Sequence, residues 1–300
     1  MCGGAKVSGV KDSRQAAERC GHLFIIGGGE ERRGDMRVLE RYVELCGGPG
    51  SSIAILTSAS TIPDEMWEMY DIAFSELGVR HHFPIHAGSR AQANEPNRAQ
   101  QLYKADGIFM TGGDQKRLVE TIGDTRIHDV MRRAFKDNAA CIGGTSAGAS
   151  AMACHMLADG KKEKIPDKHT ARLDRGLALL QQVTIDQHFS ERQRLARLLS
   201  VIAQHPELIG VGIDEDTALI ISERGDVEVI GTGAVTLLDG RHMHSNIDEA
   251  DSQEHLELIN VILHLLPAGN RYNIEQTDSI STSSPGKKEL LDVLRLVTRR

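Results

Sequence analysis

Aromatic side chains are scarce in this sequence, with one Trp, four Tyr and six Phe in 300 residues. Basic residues are also outnumbered, 35 Lys and Arg against 42 Asp and Glu, for a formal net charge of −7. Both shortages argue against a nucleic-acid partner, which calls for a basic face or rings on which bases stack. Cysteines number five (Cys2, Cys20, Cys46, Cys141 and Cys154), and no two form a C-x-x-C pair. The count is odd, and Cys46, Cys141 and Cys154 sit in apolar patterns. That reads as free, buried thiols in a reducing compartment rather than a disulfide framework. No apolar run approaches the roughly 18 residues of a membrane span, so no membrane partner is expected. The first twenty residues lack the continuous apolar core of a secretory signal. Cys2 follows Met1 directly, without the apolar stretch of a lipid-anchored precursor. A cytoplasmic protein is expected.

What is present suffices for one large core. At 40% hydrophobic and 26% charged, the chain fits a single large α/β domain and is marginal for two. Residues 1–22 form a polar N-terminal segment, 23–277 a single α/β domain, and 278–300 a linker with a short basic helix. Strand-like apolar runs occupy His22–Ile26, Ile53–Thr57, Ile108–Met110, the residues before Gly143, Val183–Ile185 and Ile209–Ile213. Phe83–Ile85 reads as a short strand at a sheet edge, because Pro84 cannot donate to a ladder. Leu39, Tyr42, Val43 and Cys46 have helical spacing, closed by Gly47 and Gly48. Further helices run from Pro63 to Gly78, from about Arg126 to Lys136, and from Ser190 to about Ala203. Strands alternating with helices predict a doubly wound, mostly parallel sheet flanked by helices. Thr217–Asp239 reads as a C-terminal antiparallel extension of that sheet, and Leu256–Leu266 as an amphipathic helix. The charged stretch Asp159–Arg172 has no apolar periodicity and reads as a surface loop rather than a flap. In doubly wound sheets the loops after the strand ends build the site, so the Gly27, Thr57, Gly112 and Ser146 turns are expected on one rim.

One of those turns carries a reactive pattern. Gly144-Thr-Ser-Ala-Gly148 has the G-x-S-x-G form of a nucleophile elbow, a sharp strand-to-helix turn that lifts the serine hydroxyl clear of the sheet. The N–H of Ala147 would then face an oxyanion, and the Gly113 region offers a second donor. The bland alternative is a Gly-rich turn whose serine merely caps a helix. A nucleophilic serine needs a base, and the base needs an acid to hold its tautomer. His188 follows a strand end directly, and so do Asp214, Glu215 and Asp216. Glu215 points away from its two neighbours if the backbone stays extended. A second order, Ser146–Asp216–His244, matches α/β-hydrolases equally well, and spacing does not separate the two. His81, His82 and His86 cluster, and His242 and His244 lie two apart. Neither group has companion ligands at a familiar metal spacing, so both read as surface residues. Gly27-Gly28-Gly29-Glu30 lacks the spacing of a phosphate-binding loop and reads as a tight turn beside the active face.

Four stretches taken together resemble a known family. They are Thr111-Gly-Gly-Asp-Gln115, Gly144-Thr-Ser-Ala-Gly-Ala149, Asp186-Gln-His-Phe-Ser-Glu-Arg-Gln-Arg-Leu-Ala-Arg197 and Gly212-Ile-Asp-Glu-Asp-Thr-Ala218. They resemble the cyanophycinases, peptidase E-like serine exopeptidases on a fold similar to class I glutamine amidotransferases. The similarity runs in family order from about Leu23 to Ile274. It implies Ser146 as nucleophile, His188 as base and Glu215 as orienting acid. It further implies Gln115, Asp186, Gln187, Arg192, Arg194 and Arg197 as substrate-binding residues. It implies cleavage of a poly-aspartate carrying arginine on each β-carboxylate, release of β-aspartyl-arginine, no cofactor or metal, and a homodimer. Plain dipeptidase relatives resemble the elbow equally well but not the Arg-rich stretch after His188. The residue chemistry agrees: planar guanidinium groups grip carboxylates at two points, and Asp186 could meet a substrate guanidinium. A solvated basic helix face is the alternative for the same arginines.

Overall fold

The apolar runs become strands whose successive side chains face opposite layers, so each strand must be covered on both sides. The computed structural model describes residues 20–160, 164–168, 171–251, 254–274 and 285–300. Its first half alternates β1 (His22–Ile26), α1 (Arg37–Cys46), β2 (Ser52–Leu56), α2 (Pro63–Glu76) and β3 (His81–Ile85). Then come α3 (Arg90–Ala93), α4 (Pro96–Tyr103), β4 (Gly107–Met110), α5 (Gln115–Ile122), α6 (Arg126–Asn138), β5 (Cys141–Thr145) and the short α7 (Ala147–Ser150). The second half holds β6 (His155–Gly160), β7 (Ala171–Arg175), β8 (Val183–Gln187), α8 (Leu195–Gln204), β9 (Ile209–Ile213), β10 (Thr217–Ser222) and β11 (Val227–Gly231). It ends with β12 (Ala234–Asp239), β13 (His244–Ser245), β14 (Leu258–Ile259), β15 (Ile262–Pro267), β16 (Arg271–Tyr272) and α9 (Pro285–Val297).

The main sheet has eight strands in the order β16-β11-β10-β1-β5-β4-β2-β3. The pairs among β1, β5, β4, β2 and β3 are parallel, while β10, β11 and β16 add antiparallel. This is the mostly parallel, helix-flanked sheet with its antiparallel extension. The strand β3 lies at the sheet edge, where Pro84 is tolerated. Side chains alternate as the pleat requires. Leu23 and Ile25 join one core layer, which also takes Met110, Ile142 and the inner faces of α5 and α6. Phe24 and Ile26 join the other, with Tyr42 of α1 and Tyr70 and Phe74 of α2. The scarce aromatics concentrate there, Tyr42 meeting Phe24 and Phe109 edge-on at 5.4 and 5.2 Å.

Several expectations need correction. The strands β8 and β9 do not extend the main sheet. They pair with each other in a second, four-stranded sheet of order β15-β12-β9-β8. The antiparallel C-terminal strands are thus divided between two sheets. The helix expected over Leu256–Leu266 is instead β14 and β15. Asn260 adopts φ +64 between them, which breaks a helix, and β12 supplies the ladder for Ile262–Pro267. The α8 helix begins at Leu195 rather than Ser190, because Gln193 turns the chain at φ +54 and Arg194 becomes the N-cap. The charged stretch after Asp159 is bracketed by β6 and β7, which pair antiparallel from His155↔Arg175 to Gly160↔Ala171. Residues 1–19 and the linker at 278–284 lie outside the described residues. The terminal helix α9 buries Val293, Leu294, Leu296 and Val297 in the main core. Arg300 beyond it covers the Phe135 ring at 4.7 Å. Cys20, Cys46, Cys141 and Cys154 are free thiols. No helix among the described residues is long and apolar enough to cross a membrane.

Candidate active site

The elbow is built by close approach. A Cβ at Gly144 would lie 2.6 Å from the Gly148 backbone, so this strand-to-helix turn admits no side chain there. Between the two glycines Ser146 takes φ +52 and ψ −108, a sparsely populated conformation for a residue with a Cβ. Its hydroxyl lies 2.9 Å from Nε2 of His188, whose Nδ1 lies 2.5 Å from Oε1 of Glu215. With the carboxylate accepting from Nδ1–H, Nε2 is left as the acceptor that faces the serine. His188 and Asp216, the neighbour of Glu215, also have positive φ, +49 and +44. Left-handed backbone at or beside each of the three residues turns their side chains toward one another.

The three segments hang from the turn after β1. The carbonyls of Ile26, Gly27 and Gly28 accept, in succession, the N–H of Ser146 (3.1 Å), His188 (2.7 Å) and Asp216 (2.9 Å). Gly28 has φ +95, and a Cβ there would come within 2.4 Å of the His188 ring. The Gly-rich turn is therefore a cradle for the imidazole. The adjacent carboxylates have separate partners. Asp214 accepts from the N–H of Ser190 and Ala234, Asp216 from the N–H of Glu31, and Glu215 alone meets the ring. The N–H of Glu215 donates to Glu191 at 3.1 Å, a contact the sequence did not signal. His244 is exposed in β13, so the ring facing Ser146 is His188 rather than His244. On the other side Gly112 lies against the serine, with an added Cβ 3.6 Å from Ser146 Cβ. Among the described residues, the N–H groups of Gly113 and Ala147 donate to no other backbone group.

Burial and nearby charge favour the neutral His188 ring. Burial lowers the proton affinity of His188 below the ordinary imidazole value. The hydrogen bond to Glu215 works against that shift, and the positive charges of Arg192 and Arg194 add to it. A neutral ring is the form that accepts a hydroxyl proton.

The expected binding residues divide. Asp186 is 1% exposed and lies between two guanidinium groups. Arg197 donates through Nε at 2.8 Å and through a second nitrogen, and Arg194 donates at 3.0 Å. Both Asp186 oxygens thus have partners within the protein. Arg197, only 9% exposed, and Arg194, which also donates to Gln187 Oε1 at 2.8 Å, are held in the same cluster. Both are tied to the end of β8 rather than lying on a solvated helix face. Arg192 differs: it is exposed, and its guanidinium has no ion-pair partner among the described residues. Gln115 donates to the carbonyls of Leu157 and Ala158 at 3.2 and 3.3 Å, tying α5 to β6. Of the histidines read as surface residues, His82 is instead bonded to Asp71 at 2.7 Å and His86 to Thr57 at 3.2 Å. Among the described residues no group of three or more His, Cys, Asp or Glu could hold a metal ion. Sequence reasoning missed Glu30, a buried carboxylate that accepts from Thr145 Oγ1 at 2.5 Å, directly beside the serine. A charge placed immediately after three glycines was its one signal.

Several known proteins are similar to this chain. Two relatives named cyanophycinase are similar along most of their length. That of Geminocystis herdmanii is 38% identical over 252 residues, covering 84% of this chain and 93% of its own. That of Synechococcus elongatus is 36% identical over 265 residues, covering 88% and 82%. Among solved structures, a peptidase from an acI-B1 Actinobacterium superposes with a TM-score of 0.63 at 20% identity. It covers 85% of this chain and 97% of that one, which speaks to the fold. Residues 23–229 match Peptidase family S51, a span that holds the elbow, the His188 turn and the Glu215 turn alike; the chain belongs to that family.

Proposed function

We propose that this peptidase is a serine exopeptidase that hydrolyses cyanophycin to β-aspartyl-arginine, using Ser146, His188 and Glu215. The hydrogen-bonded line Ser146–His188–Glu215, at 2.9 and 2.5 Å, carries the reading. Ser146 Oγ attacks the scissile carbonyl as its proton passes to Nε2 of His188, and Glu215 stabilises the imidazolium that forms. The N–H groups of Gly113 and Ala147 receive the charge on the carbonyl oxygen. His188 returns the proton to the leaving amine, and water then repeats the sequence on the acyl-enzyme. Arg192 grips a substrate carboxylate, and Gln115 and Gln187 line the same site. The buried Asp186–Arg194–Arg197 cluster fixes the floor beneath them. No step calls for a metal or organic cofactor.

The same proposal takes 23–277 as one peptidase domain against which α9 packs, and places the enzyme in the cytoplasm. Free, buried Cys46 and Cys141 support a reducing compartment, and cell fractionation tests it. A homodimer is included, supported by the resemblance and by Leu263 and Leu265, 51% and 58% exposed on the edge strand β15. Light scattering that returns a monomer at micromolar concentration removes that part. The decisive experiment incubates purified cyanophycin with the wild-type enzyme and with Ser146→Ala, and weighs the products. Release of β-aspartyl-arginine by the wild type alone is expected. No dipeptide from the wild type, or equal release by the variant, overturns the proposal.

A further inference from the structure

The turn that carries the base, the acid and the nucleophile needs an anchor of its own. Residues 26–31 contact all three catalytic segments, through the carbonyls of Ile26, Gly27 and Gly28 and through the Glu31 N–H, which donates to Asp216 Oδ1 at 3.0 Å. Three consecutive glycines would leave such a turn soft. We propose that Glu30 is a positioning residue for the reaction, whose carboxylate locks this turn against the nucleophile strand and α2. The inference rests on the triad reading above.

The Glu30 side chain is buried and has two hydroxyl donors. Thr145, the residue before Ser146, donates to Oε2 at 2.5 Å, and Tyr70 of α2 donates to Oε1. Arg32 lies 3.9 Å from Oε1 and 5.7 Å from the Tyr70 ring centroid, closing the cluster on its outer side. Burial and the neighbouring carboxylate push the Tyr70 phenol well above its ordinary value, so it remains a donor. Burying a carboxylate is unfavourable, and an apolar side chain would fill this space without that penalty. What the carboxylate adds is direction: two charge-assisted hydrogen bonds fix one turn to two elements at once. The element fixed to Oε2 is the last residue of β5, so the elbow and its cradle are pinned together within one residue of the reacting oxygen. Glu30 touches no reacting atom and acts through the geometry of Ser146 and His188.

A serine-directed fluorophosphonate tests this without needing the polymer. The Ser146 oxygen forms the P–O bond, fluoride leaves, and His188 takes the serine proton, so the rate per site reports triad geometry. Mass spectrometry gives the labelled residue and the labelled fraction. For Glu30→Gln we expect complete labelling at Ser146, slowed about ten- to hundredfold, the scale of an ångström-sized misplacement. On peptide substrate kcat falls by a similar factor, KM stays within about twofold, and the midpoint of the acid limb does not move. A merely structural role lowers the fraction of sites that label and leaves the rate per competent site alone. That result, or a labelling rate within about twofold of wild type, overturns the inference. Tyr70→Phe removes one donor and keeps the carboxylate, so it serves if Glu30→Gln does not fold. Slower labelling at full stoichiometry is expected there, and an unchanged rate counts against the proposal. A wild-type enzyme that does not label at Ser146 overturns the triad reading and this inference with it; normal wild-type labelling with an unslowed Glu30→Gln overturns this inference alone.

Discussion

Gly28→Ala puts the smallest possible side chain where the structure has no room for one. The new Cβ would lie 2.4 Å from Cε1 and 2.5 Å from Nε2 of His188, against an ordinary contact that begins near 3.4 Å. The ring must therefore move by about 1 Å (3.4 − 2.4 Å). It cannot tilt freely, because Nδ1 is held 2.5 Å from Glu215 and the His188 N–H is bonded to Gly27. The displacement falls on the 2.9 Å contact with Ser146, which leaves hydrogen-bonding range when it lengthens or turns by that amount. Losing a positioned base lowers the rate by about 10²–10⁴, or roughly 2.7–5.4 kcal/mol of transition-state stabilisation. Alanine at φ +95 adds a backbone penalty of about 1–2 kcal/mol. The expected signature is a kcat/KM at least about a hundredfold below wild type with a fall in Tm of only a few degrees. Steady-state assays well below Tm, paired with thermal melts, measure both. A variant that keeps a third or more of wild-type kcat/KM shows that the ring does not depend on this cradle, and the reasoning fails.

Other outcomes follow from the same geometry. His188→Ala should lose activity most severely and Glu215→Gln less, while His244→Ala stays near wild type; a silent His188→Ala with a dead His244→Ala would restore the α/β-hydrolase order. With His188 as the proposed base, which acts only when neutral, a kcat/KM profile should keep activity below the ordinary imidazole value of about 6.5, because burial depresses its proton affinity. Arg192→Gln removes a positive charge that opposes protonation, so the acid limb should move to higher pH; an unmoved or lowered limb contradicts this. The same variant should lose about ten- to hundredfold in kcat/KM on the polymer, the worth of one charge-assisted hydrogen bond, and little on an uncharged ester. Arg197→Lys should instead reduce stability and both activities together, because the two-point grip on buried Asp186 is broken. Urea melts coinciding with wild type would return Arg197 to the substrate.

The sequence by itself determined the layered sheet and the places where chemistry can sit. Buried strands such as Phe24–Ile26 and Ile53–Leu56 must be apolar on both faces, and glycines at 144 and 148 are demanded by a turn that tolerates no Cβ. Such local constraints leave marks at fixed spacing. Tertiary structure decided what depends on partners distant in the chain. Whether Leu256–Leu266 forms helix or strand was settled by the ladder that β12 offers, since its apolar positions fit either period. Which imidazole faces Ser146, that of His188 or His244, depends on the turn of the backbone at φ +49, and spacing carries no record of that angle. The partners of Asp186 were equally out of sight, since α8 brings Arg197 back over it from eleven residues later in sequence. Glu30 was invisible for the same reason. Its two donors lie 40 and 115 residues away, and a carboxylate shows its role only when the fold brings the hydroxyls to it.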